Sequence, residues 1–134
     1  MSQPFVALLA VLVSMGILDA VWLTTMTERL YRRQMPELLL ATPMWVPAIA
    51  FYLIYAAAVT HLIVLPAIDR GDSLLRVVAA GALLGLAAYG TYDLTNHATI
   101  RGWSPVVTIV DLAWGTTLTA VVAAVAVLVT RRFA

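Results

Sequence analysis

The sequence contains no cysteine and no lysine, and all eight of its basic residues are arginine. Without cysteine there is no disulfide, no thiolate nucleophile and no soft metal site. Without lysine no Schiff base can form, which excludes retinal-type and aldolase-type chemistry. Charge of either sign is scarce: 11% of the 134 residues are charged and 63% are hydrophobic, with a net charge of +1. A soluble domain is nearer half apolar and a quarter charged. This chain has too little polar surface to cover a water-soluble globule, and the bilayer is its natural solvent. There is no basic field for nucleic acid and no acidic tail. There is also no nucleophile elbow, phosphate loop or zinc motif, so no cofactor is expected. The apolar start, Met1 to Val13, has no basic n-region and no small-x-small cleavage site after it. It reads as part of a retained helix.

What is present is a set of long apolar runs. Spanning a membrane requires roughly 20 apolar residues at ~1.5 Å each. Four runs qualify, at about residues 4–25, 43–66, 74–98 and 105–130. Between the first two, residues 26–42 mix Glu28, Arg29, Arg32, Arg33 and Glu37 with Leu30, Tyr31, Met35 and Leu38. That mixture suits an amphipathic segment lying in the interface. The expected architecture is all-α: a single integral membrane domain, residues 1–134, folded as a left-handed four-helix bundle with one interfacial segment. Trp22, Trp45 and Trp103 fall near the expected water boundaries, as interfacial anchors do. Four spans put both termini on one side. Arginines divide evenly, with Arg70, Arg76, Arg131 and Arg132 on the terminal side and Arg29, Arg32, Arg33 and Arg101 on the other. Setting Arg101 aside as a candidate site residue leans to both termini inside. Gly81 and Gly85, four apart in the third run, let two helix backbones approach closely. Packing within the bundle is favoured over a dimer seam.

The intramembrane charges form a layer. Asp19 lies about six residues before the end of the first run, Asp93 about five before the end of the third, and Asp111 about six after the start of the fourth. All three ends face the same side, so each carboxyl sits roughly 8–9 Å inside its helix end. A central Asp costs ~2.5–3.5 kcal/mol to insert, so three left unpaired approach ~10 kcal/mol, comparable to a domain's whole stability. They must be protonated, hydrogen-bonded, paired or facing water. Asn96 and His97 follow Asp93 on its own face. Tyr89 lies one turn deeper, Arg101 just above in the turn, and Trp114 and Thr108 flank Asp111 at three-residue spacing. Tyr52, with Tyr55, reaches the same zone from the second run. The first and fourth runs share an Asp-x-x-Trp pattern, Asp19 to Trp22 and Asp111 to Trp114.

Each of these has a plainer reading. The three Asp could be structural glue, or the helices could end early and leave Asp93 among headgroups. His97 reads equally as a general base or as a hydrogen-bonded interfacial side chain. Arg101 reads equally as a phosphate or carboxylate clamp or as a headgroup anchor. His61 lies near the opposite face and is read as structural. An oxygen-rich metal site from the three Asp and His97 is conceivable, but the spacing matches no metal motif and no metal is assigned.

The landmarks carry a resemblance. Leu18-Asp19-Ala20-Val21-Trp22-Leu23, Phe51-Tyr52, Tyr89-Gly90-Thr91-Tyr92-Asp93-Leu94-Thr95-Asn96 with Ala98-Thr99, Gly102-Trp103 and Asp111-Leu112-Ala113-Trp114-Gly115 cover nearly the whole chain. In these the chain resembles a bacterial family of small four-helix membrane proteins of unknown function. The resemblance implies an integral protein of the bacterial inner membrane and brings no activity, substrate or catalytic residues. The functional expectation therefore rests on placement. It is a polar site for a small molecule or membrane lipid opening to one leaflet, with Asp19, Asp93, Asp111 and His97 as acid/base groups. Asn96, Arg101, Tyr89, Trp22, Trp114 and Tyr52 would contact the ligand. The alternatives are proton-coupled transport, with a homodimer supplying the pathway, and an accessory or scaffold protein without chemistry.

Overall fold

A computed structural model describes residues 1–134. It contains four long helices: α1 (Gln3–Gln34), α2 (Trp45–Arg70), α3 (Leu74–Thr99) and α4 (Pro105–Phe133), each long and apolar enough to cross a membrane. The chain is a multi-pass membrane protein. Its starts and stops have local causes. Pro4 and Pro105 sit in first turns, where a missing N–H costs nothing. Ser73 and Ser104 cap α3 and α4 by accepting the backbone N–H of Arg76 and Val107. The tight connections turn on Gly71 (φ 67°) and Gly102 (φ 80°), whose positive φ a side chain would strain.

Two helices widen locally. In α2, residues Thr60–Val64 form a wide turn just before Pro66, which cannot donate into the helix. Thr60 Oγ1 donates to the Ala56 carbonyl at 2.7 Å and His61 Nδ1 lies 2.9 Å from that of Ala57, so the loosened carbonyls keep partners. In α1, residues Thr27–Tyr31 form a second wide turn. Its consequence is felt at the site.

α4 is the hub of the bundle, packing on α1, on α3 and on the second half of α2. The α3–α4 seam is set by glycine. A methyl group on Gly81 would lie 2.8 Å from the Ala120 Cα and the Thr119 carbonyl oxygen, and one on Gly85 would collide with the Gly115 carbonyl. The Gly81–Gly85 pair is therefore spent inside the bundle, where small residues let two backbones touch. The half of the bundle nearest the termini closes over a dry core of small and branched side chains, including Val11, Val59, Val64, Val122, Ala123 and Val127. Outward-facing positions remain apolar: Val46, Ile54, Leu75, Leu83 and Ile109 are largely exposed. Such a surface is stable only against lipid.

At the terminal surface, Arg70 Nη2 lies 2.8 Å from Asp72 Oδ2, and Arg131 Nη2 donates to the Asp72 carbonyl at 2.6 Å. The Arg70 guanidinium, with Arg76 and Arg131 also nearby, holds the Asp72 carboxyl below the usual carboxylate range.

Candidate functional site

The opposite end of the bundle is built differently. Asp93 of α3 is fully buried, and Asp19 of α1 and Asp111 of α4 are each only 8% exposed. Asp19 Oδ1 accepts the indole N–H of Trp114 at 3.1 Å. Trp114 stacks on Trp22 with ring centroids 4.4 Å apart and planes 5° from parallel. Trp22 Nε1 donates to the Tyr31 hydroxyl at 2.9 Å, and that hydroxyl donates to Asp111 Oδ1 at 2.5 Å. The shared Asp-x-x-Trp pattern thus has a geometric use. Each pair spans about one helical turn, so carboxyl and indole share a face, and the two indoles of α1 and α4 meet in a stack.

Asp93 closes the chain of contacts. Its carboxyl lies near that of Asp111. Neither Asp93 oxygen has a donor among the protein's own groups. Two neighbouring carboxylates offer only acceptors, so a bond between them needs a shared proton or a donor from outside. A buried polar group left unmade is costly, by about 1–3 kcal/mol and more when charged. The pair is therefore incomplete as the protein alone supplies it.

Two cavities adjoin this pair. One, of about 320 Å³, is lined by Asp19 and Asp111, by Trp22, Tyr31 and Trp114, and on its outer side by Met35, Leu38 and Leu39. The other, of about 370 Å³, lies between α2 and α3 and is lined by Phe51, Ala88, Tyr89, Tyr92 and Asp111. Tyr89, Tyr92 and Asp111 are common to both. Both volumes fall within the range of small-ligand sites. The second opening exists because α2 meets α3 mainly around Thr60–Val64 and not nearer the site. Its rim residues Phe51 and Tyr92 are about half exposed on the outer face of the bundle.

The segment after the first span forms a cover. Leu30 and Met35 are buried with Val107, and Gln34 accepts from Ser104 Oγ at 2.9 Å. Tyr31 is the site residue that sequence reading leaves out. In an unbroken α-helix, Tyr31 lies two and a half turns beyond Trp22, on the opposite face. The wide turn at Thr27–Tyr31 winds fewer degrees per residue and swings Tyr31 round towards Trp22. Helical side chains lean towards the N-terminus, so its ring reaches back down to Asp111. The available signal is the apolar set Leu30, Tyr31 and Met35 inside an otherwise charged stretch. Trp103 and Tyr92 also line the first cavity, the former in place of a purely interfacial role.

Of the residues singled out by sequence, Asp19, Asp111, Tyr89, Trp22 and Trp114 line the first cavity, and Asp93 stands behind Asp111. The remaining four are not brought to the cavities. His97 is exposed, with Nδ1 3.2 Å from Thr108 Oγ1, which also accepts the Trp103 indole N–H at 3.0 Å. His97 shares a face with Asp93 but sits one turn, roughly 6 Å, further along the axis, beyond the cavity wall. Asn96 is half-buried and lines neither cavity; Arg101 is exposed in the turn and makes no ion pair. Tyr52 packs against the main core, its ring edge-on to Phe51 at 6.0 Å. Tyr55 is buried one turn deeper and pairs with Thr119 Oγ1 at 2.6 Å. No three carboxylate or imidazole groups converge as a metal site.

Comparison with known proteins agrees with this architecture and adds no activity. The family described as "Predicted membrane protein (DUF2177)" matches residues 4–128, and the chain belongs to it. No curated protein and no solved structure matches the chain.

Proposed function

We propose that this protein binds a lipid, or a small molecule drawn from the membrane, at the carboxylate end of its bundle, in the inner membrane of a bacterial cell. The observation that carries the reading is the Asp93–Asp111 pair: buried, acceptor-only, and set beside cavities that reach the outer face of the helices. A purely structural carboxyl in an apolar bundle would be expected to find a donor, as Asp19 does in Trp114. Asp93 does not, and a membrane protein bears that cost where a ligand or a proton completes the bonding. The same pair suits acid/base chemistry on the bound molecule, because two carboxyls sharing one proton can both give and accept it. A transport reading needs a polar path to the far side. The half of the bundle towards the termini argues against one, since Val122, Ala123, Ala126 and Val127 are fully packed there.

The test is native mass spectrometry of the protein taken from its own membrane, alongside lipid analysis of cells lacking it. The proposal expects a bound amphiphile on the wild type that is absent from Asp93→Asn, with equal yields of folded protein. Equal occupancy on both would refute it.

A further inference from the structure

The cavity's donors and acceptors identify the class of molecule it would take. The first cavity receives two carboxylates, Asp19 and Asp111, and no arginine or histidine lines either cavity. Its indole donors and the Tyr31 phenol are already used: Trp114 on Asp19, Trp22 on Tyr31, Tyr31 on Asp111 and Trp103 on Thr108. The phenols of Tyr89 and Tyr92 stay open, as neutral groups that donate or accept. The buried capacity that remains unmet is that of a carboxyl acceptor. Both oxygens of the fully buried Asp93, a neighbour of the cavity residue Asp111, lack a donor. The complementary group is rich in N–H donors and positively charged. An anionic phosphate or carboxylate would enter a low-dielectric space beside carboxylates and find no cation, an arrangement that burial makes costly. The walls add to the preference, because Trp and Tyr rings attract cations across their faces.

The second cavity supplies a place for a chain. It shares Tyr89, Tyr92 and Asp111 with the first, and Phe51 and Ala88 complete its apolar wall between α2 and α3. Resting on the lipid-site reading above, we propose that the occupant is an amphiphilic amine: a cationic nitrogen without an adjacent phosphate, joined to a hydrocarbon tail. The ammonium bonds Asp111, which Asp93 backs with a second carboxyl, with Asp19 and the aromatic walls around it. The tail leaves past Phe51 towards the acyl region. The cover of Tyr31, Met35, Leu38 and Leu39 keeps water from the ion pair, which strengthens it.

The experiment uses the full chain purified in a non-ionic maltoside, with hexadecylamine, hexadecanol and hexadecyl phosphate as probes. Thermal unfolding and tryptophan fluorescence are followed as each is titrated; Trp22, Trp103 and Trp114 report from the cavity wall. Hexadecylamine is expected to raise the melting temperature and change the fluorescence saturably, and the other two are not. Asp93→Asn and Asp111→Asn should each weaken the amine by about tenfold or more, the loss that removing one charged hydrogen-bond partner produces. Asp69→Asn, an exposed carboxyl at the terminal end, should bind as wild type does and controls for micelle charge. Hexadecyl phosphate acting as strongly as the amine would overturn the assignment, as would an undiminished amine response in the Asp93→Asn/Asp111→Asn double variant. An anionic lipid retained by the wild type but not by Asp93→Asn would defeat the amine assignment alone. No retained lipid together with no amine response defeats both readings.

Discussion

The two ends of this bundle solve the same problem in opposite ways. At the terminal end the helices meet through Val, Ala and Leu, and charge is kept to the surface, where Arg70 and Arg131 hold Asp72. At the other end three carboxyls are carried inside, only some of their oxygens are satisfied, and space is left beside them. The first arrangement is what lipid-embedded helices adopt when packing alone decides. The second gives up packing density and polar satisfaction together, on three helices at once. That contrast between the ends is what the proposed site rests on.

Perturbing the packed end should cost the most. Gly85→Val drives a branched side chain into the Gly115 backbone, and no rotamer relieves a collision with main chain. The α3–α4 seam should open, with a loss of about 3 kcal/mol or more, the upper range for overpacking. Monodisperse, stable protein from this variant would mean the seam is looser than described. Leu118→Ala, which empties a nearly sealed position in the dry core, should lose about 2–5 kcal/mol in denaturant unfolding while leaving ligand affinity intact. A loss of binding equal to that of Asp93→Asn would erase the distinction between the ends.

Smaller effects are expected at the site. Tyr31→Phe removes one hydroxyl and strands two partners, the Trp22 indole and Asp111 Oδ1. A loss of about 1–2 kcal/mol is expected. Amide exchange should quicken selectively over residues 27–39, and unchanged exchange there would show that the cover is held by its apolar contacts alone. The mildest effect belongs to the terminal clasp. Arg70 lowers the Asp72 carboxyl relative to the unfolded chain, so its contribution is fully present above the ordinary aspartate value of about 3.9 and is lost as pH falls through the lowered one. Acidification should therefore loosen the Gly71 turn in wild type and not in Asp72→Asn, as read by exchange at residues 70–76. Identical acid profiles would contradict the pairing.

The four helices were legible because the bilayer demands about 20 apolar residues in a row, a signal that needs no tertiary knowledge. The carboxylate layer was legible for a related reason: with length and topology known, counting residues from each end gives depth. Rotation and tilt were not legible. Asn96 and His97 share the Asp93 face on a helical wheel, yet they rise past the cavity, and Arg101 turns to the surface. Tyr52 falls to the core and its neighbour Phe51 reaches the rim, a choice fixed by how α2 leans. Tyr31 depends on a wide turn whose extra residue resets the phase of everything after it. Sequence periodicity assumes an unbroken helix and puts that ring on the wrong side.

Whether the buried carboxyls hold the fold together or await a ligand is decided most directly by comparing unfolding free energies. Asp93→Asn and the wild type would be measured in the same non-ionic detergent, stripped of lipid. Because no protein group donates to Asp93, the substitution is predicted to leave stability unchanged within about 1 kcal/mol. A loss of about 3 kcal/mol or more, the cost of breaking a buried pair, would make Asp93 a structural tie and contradict the account.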